Sequence, residues 1–84
     1  MDIAIKINNK EEYLEAKEIL IKKGFESDEP WNNFIINDII NDNSQHYLII
    51  YNDNIFESHI HDGCCGIIYK DINKFLKDNE SRKI

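Results

Sequence analysis

The chain has 84 residues and a mass of 10.0 kDa, which is enough for one domain. Its 10 Lys and Arg residues face 16 Asp and Glu residues, so the formal net charge at pH 7 is −6. This balance argues against direct nucleic-acid binding, since attraction to phosphates requires a basic patch, and no apolar run is long enough to span a bilayer.

The first quarter of the chain predicts a strand followed by a capped helix. Isoleucines alternate with other residues over residues 2–7, which is typical of a half-buried strand. Asn9 begins the helix, and Glu12 stands at the spacing of a capping-box partner. Gly24 predicts that the helix ends in a left-handed backbone conformation.

The rest of the chain predicts a loop, several strands and a closing helix. The acidic, proline-containing residues 26–33 favour the loop, and strands are predicted at residues 34–40, 46–51, 55–61 and 67–68. A helix from residue 69 or 71 to 78 precedes a frayed tail, residues 79–84. The order β-α-β-β-β-(β)-α predicts a single α+β domain, residues 1–84, with one mostly antiparallel sheet of four or five strands and two helices on one face.

The acidic residues are concentrated in the middle of the chain. Residues 24–69 contain eight Asp and Glu and no Lys or Arg, whereas the flanking segments carry net charges of 0 and +2. Such a segment is either an ordinary solvated surface or a surface for a basic partner. Trp31 is either an interface anchor within this segment or a core residue under the helix. The predicted partner-binding residues are Glu26, Asp28, Glu29, Trp31, Asp38, Asp42, Asp53 and Glu57.

A histidine- and cysteine-containing segment follows and predicts a metal site. Period-two spacing puts Glu57, His59 and His61 on one face of a strand, and imidazoles with thiolates suit Zn²⁺. The predicted ligands are His59, His61, Cys64 and Cys65. The spacing matches no zinc finger, so the alternative is ordinary histidines beside a half-buried cysteine pair, with no cofactor. Adjacent cysteines rarely form a disulfide, so a reducing compartment fits.

Catalysis is not expected from this sequence. A nucleophilic Cys64 or Cys65 near His61 would need a base and an oxyanion hole in a rigid pocket, and a chain of this size offers little room for one. The carboxylates of the acidic loop lack a predicted cleft, and there is no glycine-rich phosphate loop. We therefore expect a protein that is not an enzyme.

Three stretches of the chain resemble small proteins carried by phages and prophages of AT-rich bacteria. They are IKINNKEEY at residues 5–13, ILIKKGF at residues 19–25 with a tryptophan soon after, and IIYKDINKFL at residues 67–76. The resemblance implies a small α+β protein, and phage proteins of this kind include acidic, non-catalytic anti-CRISPR inhibitors. It matches no functional motif, so it assigns a role to no residue.

These observations predict a small acidic, non-catalytic inhibitor of a basic, nucleic-acid-handling protein in the cytoplasm of a bacterial host. The role would be anti-CRISPR or other anti-defence activity, with nucleic-acid mimicry as one mechanism, and with no direct contact to nucleic acid or membrane. Two alternatives stay open: a metal-binding module using the His/Cys segment, and an immunity protein against a toxin nuclease. A sponge for signalling nucleotides fits poorly with a segment that lacks Lys and Arg. Both a monomer and a homodimer are compatible with the sequence.

Overall fold

A computed structural model of the protein describes residues 2–41, 44–63 and 65–79. Asp42, Cys64 and all of the predicted tail except Asn79 lie outside the described residues. The strands are β1 (Ile3–Ile7), β2 (Glu26–Ser27), β3 (His46–Ile50), β4 (Ile55–His59) and β5 (Ile67–Tyr69). The helices are α1 (Lys10–Lys22), α2 (Glu29–Phe34), which continues into a π-helical segment (Ile35–Ile39), and α3 (Ile72–Asn79).

The five strands form one mixed sheet in the order β2-β4-β3-β1-β5. The two central pairings, β1 with β3 and β3 with β4, are antiparallel. The two outer pairings, β1 with β5 and β2 with β4, are parallel. The predicted α+β class is therefore confirmed, while the outer strands make the sheet mixed.

One side of the sheet, here called the helix face, forms the main core. Strand alternation brings Ile5, Leu48 and Phe56 to this face, where they are fully buried. Leu20 of α1 and Phe75 of α3 pack in the same cluster. Both predicted helices consequently cover one face of the sheet, as the sequence indicated.

Helix α1 has the boundaries that its capping residues predict. Asn9 Oδ1 accepts a hydrogen bond from the N–H of Glu12 at 2.8 Å. The Glu12 carboxylate turns back to the N–H of Asn8 at 3.1 Å, one residue earlier than a standard capping box. At the other end Gly24 has a φ of 100°, and Phe25 N–H donates to Leu20 O at 3.1 Å.

The predicted loop at 26–33 and the predicted strand at 34–40 are wrong. Residues 26–27 form β2, and α2 begins directly after it, because Asp28 caps the helix and Pro30 fits its first turn. The helix then widens into the π-helical segment, which buries Ile35 and Ile36 and closes with a hydrogen bond from Ile40 N–H to Ile35 O at 2.8 Å. The apolar run therefore contributes to the core from a helix.

Asn32 joins α2 to the edge of the sheet. Its side chain is fully buried, and its Oδ1 accepts from the N–H of Ser58 while its Nδ2 donates to Phe56 O at 3.2 Å. Phe56 O also accepts from the N–H of Asp28 at 3.1 Å, so Ser58 N–H is the group of β4 that a longer β2 would have paired. Asn32 Nδ2 also donates to Ser27 Oγ at 2.8 Å, so one amide replaces a strand neighbour and anchors the helix.

The opposite side of the sheet, here called the second face, is more polar. Ala4 and Ile49 are buried there, and Glu57 and His59 project from β4 onto the same side. The predicted strand 55–61 ends at His59, and the chain then turns across this face. Gly63 lies against Ile49, since a Cβ at Gly63 would be 2.9 Å from Ile49 Cδ1.

Candidate functional site

Most of the predicted partner-binding carboxylates that the structure describes lie along the β2 edge of the sheet. Glu26 is on β2, and its N–H donates to Asn54 O at 2.9 Å, which brings β2 against the turn that contains Asp53. Asp28 and Glu29 follow at the start of α2. The segment contributes no Lys or Arg, so this edge is formally negative.

Several of these carboxylates already have local contacts. Asp28 Oδ1 accepts from an N–H in the first turn of α2 at 3.3 Å, and Asp53 Oδ1 accepts from the N–H that begins β4 at 3.1 Å. Glu29 forms an ion pair with Lys17 of α1, with 2.7 Å between Glu29 Oε1 and Lys17 Nζ. The edge is therefore less negative than the number of its acids suggests. Glu26 is exposed on β2, and Asp38 is exposed on the π-helical segment.

Trp31 lies at the surface, which makes the interpretation of it as a core residue wrong. Its side chain is 37% exposed, and its Nε1–H donates to Ser58 O at 2.9 Å, which fixes the orientation of the indole. Phe34, one turn later on α2, is 46% exposed, and its ring centroid lies 5.8 Å from that of Trp31. The two rings form an exposed aromatic pair.

Two histidines extend this series of ring contacts toward the second face: His59 lies beside Trp31, and His61 lies beside His59. The ring centroids of Trp31 and His59 are 5.9 Å apart, and those of His59 and His61 are 6.3 Å apart. We call these four residues, Phe34, Trp31, His59 and His61, the aromatic row. The structure thus brings a residue predicted for partner binding next to two residues predicted for metal binding.

His59 is held by a carboxylate and a phenol. Its Nε2 lies 3.2 Å from Glu57 Oε1 and 3.2 Å from the Tyr51 hydroxyl oxygen. Because a carboxylate only accepts hydrogen bonds, an N–H at Nε2 donates to Glu57 in this arrangement. The side chains of His59 and Glu57 are 22% and 25% exposed, so the cluster is partly accessible to solvent.

Tyr51 is a member of this site that the sequence did not indicate. Burial, together with a hydrogen bond to Glu57 and its negative charge, raises the pKa of Tyr51 to about 12. The protonated phenol donates a hydrogen bond to the Glu57 carboxylate. The pairing of Tyr47 with His59 fixes the register of β3 and β4, and this register brings Tyr51 near Glu57. The register is set by how the strands pair in the sheet, so local sequence did not indicate this contact.

The predicted metal site stays a prediction. Among residues 2–41, 44–63 and 65–79, no group of three or more His, Cys, Asp or Glu is arranged to hold a metal ion. His61 Nδ1 accepts from Gly63 N–H at 3.0 Å, which occupies one of its two nitrogens. Cys65 is half-buried, and Cys64 is not among the described residues.

A groove elsewhere on the molecule does not involve the predicted residues. It has a volume of about 340 Å³ and runs along the exposed side of α1, where Leu14 and Ile21 border the aliphatic stem of Lys17. This groove is shallow and does not enclose a ligand.

The chain matches no protein-family model, and no curated protein or solved structure is significantly similar to it. The resemblance to phage proteins therefore stays an expectation. Within the described part of the chain, no helix is both long enough and apolar enough to cross a membrane.

Proposed function

We propose that this protein is a small acidic binding protein that inhibits a basic, nucleic-acid-handling protein, as phage anti-defence inhibitors do. The observation that supports this proposal is the exposed pair Trp31 and Phe34 at the acidic β2 edge. Together they present large aromatic surface in a segment with no Lys or Arg. Aromatic anchors within a charged rim are typical of protein interfaces.

The neighbouring surface has the same character. Ile39, in the π-helical segment, is 50% exposed and adjoins the exposed Asp38. Apolar groups would supply affinity when water is excluded, and the carboxylates would speed association with a basic partner through long-range attraction. The proposal therefore requires both parts: removing the anchors accelerates dissociation, and removing the charges slows association.

Capture of proteins from a nuclease-treated bacterial lysate tests this function. The tagged protein is compared with the triple variant Glu26→Gln, Glu29→Gln, Asp38→Asn, which leaves the capping residue Asp28 intact. We expect the wild-type protein to retain basic nucleic-acid enzymes that elute as salt is raised and are displaced by duplex DNA. The triple variant should retain much less of the same proteins.

The matched control is the triple variant Glu11→Gln, Glu15→Gln, Glu18→Gln on the exposed side of α1. It changes the net charge by the same amount, and we expect it to retain the same partners as the wild-type protein. Equal losses of captured protein in the two variants would mean that net charge alone is responsible. Capture that does not depend on salt concentration would contradict the proposal. A partner that proves to be a toxin nuclease would support an immunity protein instead.

A metal-binding module is the second candidate, and its test is independent. Metal analysis of the purified protein, with Tm measured before and after a chelator, detects a structural Zn²⁺. A stoichiometric metal that is lost in His59→Asn and Cys65→Ser would favour this module. No metal and no change in Tm would count against it.

A further inference from the structure

The centre of the aromatic row has a composition that matches one particular cationic group. Trp31 and His59 present two rings at a centroid distance of 5.9 Å, and Glu57 places a carboxylate oxygen 3.2 Å from His59 Nε2. Tyr51 adds a third aromatic side chain, with its hydroxyl 3.2 Å from the same nitrogen. The site therefore combines aromatic faces with a fixed carboxylate.

The side chains of this site are already oriented before a ligand binds. The indole of Trp31 is fixed by its hydrogen bond to Ser58 O, and the imidazole of His59 is fixed by Glu57 and Tyr51. Rigid groups lose little conformational entropy on binding. Trp31, His59 and Glu57 nevertheless all keep part of their surface exposed, so a side chain from outside can reach them.

The local charge favours a cation. The acidic segment supplies Glu57 to this site and supplies no Lys or Arg. Lys6 is the described lysine whose strand position is in register with this site on the second face. It pairs with Tyr47 on β3, and Tyr47 pairs with His59 on β4. Two strand spacings, roughly 10 Å, separate Lys6 from His59, so the carboxylate of Glu57 has no lysine beside it on this face.

Among protein cations, a guanidinium fits this combination better than an ammonium. It is planar and stacks on aromatic rings, and its donors can meet a carboxylate in two parallel hydrogen bonds. An ammonium is a compact, strongly hydrated charge that gains less from flat aromatic walls.

We propose that Trp31, His59 and Glu57 form a receptor for an arginine side chain of the basic partner. The guanidinium stacks on the exposed faces of Trp31 and His59 and donates to the Glu57 carboxylate. This assignment rests on the proposed function, because it names the chemistry by which the same surface recognises its partner. It goes further in that it selects arginine over lysine.

The experiment titrates the protein with N-acetyl-arginine amide at constant ionic strength. Trp31 is the single tryptophan of the chain, so its fluorescence and indole N–H resonance report on this site alone. We expect a saturable change with the arginine derivative. N-acetyl-lysine amide and N-acetyl-citrulline amide should bind at least about fivefold more weakly than the arginine derivative. Citrulline keeps the shape of arginine without its charge.

Glu57→Gln should weaken binding of the arginine derivative by about fivefold or more. Glu26→Gln makes the same change of charge on the β2 edge, and its affinity for the arginine derivative should stay within about twofold of the wild-type affinity. Circular dichroism checks that both variants are folded. Trp31→Leu, followed through the ring protons of His59, removes the aromatic face while an apolar side chain remains, and it should also weaken binding.

Equal affinities for the three derivatives, or equal affinities of wild-type protein and Glu57→Gln, would overturn the arginine assignment. So would the lack of a saturable change. If the probe fails but salt-sensitive capture of basic proteins persists, the assignment falls and the proposed function stands. If the probe binds but the capture experiment fails, the receptor stands without that function.

Discussion

Gly63 shows how a single backbone conformation supports the second face. Its φ of +62° is unfavourable for residues with a Cβ, and an added Cβ would come within 2.9 Å of Ile49 Cδ1, a buried side chain. The glycine therefore allows the chain after β4 to lie close against the sheet.

We expect Gly63→Ala to lower the free energy of unfolding by roughly 1–2 kcal/mol, because the alanine is strained in this conformation and must displace Ile49. Urea denaturation measures the change. Gly66→Ala, in the same loop but at a position without positive φ, is the control and should have a smaller effect. Similar losses in both variants would show that the Ile49 contact is not the cause.

His46 is a buried titratable residue in the core. Its ring packs against Tyr13 with a centroid distance of 6.2 Å, and its Nδ1 lies 3.2 Å from Ser44 O. Its Nε2 has no hydrogen-bond partner among the described residues. Burial lowers the pKa of His46 below its ordinary value of 6.5, although Ser44 O and the charge of Glu12 oppose the shift.

This shift predicts that the protein loses stability as the pH falls below 6.5. The unfolded chain takes up a proton on this histidine more readily than the folded protein does, so acid favours unfolding. Tm should therefore decrease between pH 7.5 and 5.5 in the wild-type protein, as followed by circular dichroism.

His46→Phe, which keeps a ring against Tyr13, should have a flatter dependence of Tm on pH over the same range. Asn33→Ala, a change at an exposed residue that does not titrate, should keep the wild-type slope. Parallel slopes in wild-type protein and His46→Phe would show that another group causes the acid sensitivity.

At the scale of the elements, α2 depends on contacts that are distant in sequence. Asn32 holds the helix against β4 through Ser58 and Phe56, which are 26 and 24 residues away. The helix itself has six residues, too few to be stable alone. Its formation, and with it the exposed pair Trp31 and Phe34, follows from the buried amide.

We expect Asn32→Ala to lower the free energy of unfolding by about 2–4 kcal/mol, since it removes the hydrogen bond to the buried N–H of Ser58 and the second hydrogen bond to Phe56 O. Asn33→Ala, one residue further on an exposed position of the same helix, should change it by about 0.5 kcal/mol or less. Chemical denaturation of both variants provides the measurement. A small effect at Asn32 would mean that water or a shift of α2 replaces its hydrogen bonds.

At the scale of the whole molecule, the helical segments that the structure describes contribute to one core. Leu20 of α1, Ile35 of the π-helical segment that continues α2 and Phe75 of α3 belong to the same buried cluster as Leu48 of the central strand. A shared core makes separate unfolding of these elements unfavourable, because each exposes apolar surface of the others.

We therefore expect a single cooperative unfolding transition. Far-ultraviolet circular dichroism reports on all helices, and fluorescence of Trp31 reports on the β2 edge, so the two midpoints in urea should coincide. The midpoints should also move together in Asn32→Ala. A tryptophan transition that precedes the loss of helix would show that α2 unfolds on its own, and would place the binding surface in a separately ordered segment.

Local sequence patterns predict an element correctly where the pattern is compatible with only one secondary structure. Alternating isoleucines in β1, the cap at Asn9 and the stop at Gly24 each have a short-range physical cause, and the structure confirms them. The α+β class follows from these elements and the apolar run of β3. The cation-free segment is likewise evident from sequence alone.

Residues 26–40 and the aromatic row were decided by tertiary structure. An apolar run such as residues 34–40 fits a strand as well as a helix, and the choice came from Asn32, which occupies the edge of β4. Trp31 and His59 meet only because α2 packs beside that strand. Such contacts join residues that are far apart in the chain, so local propensity contains no information about them.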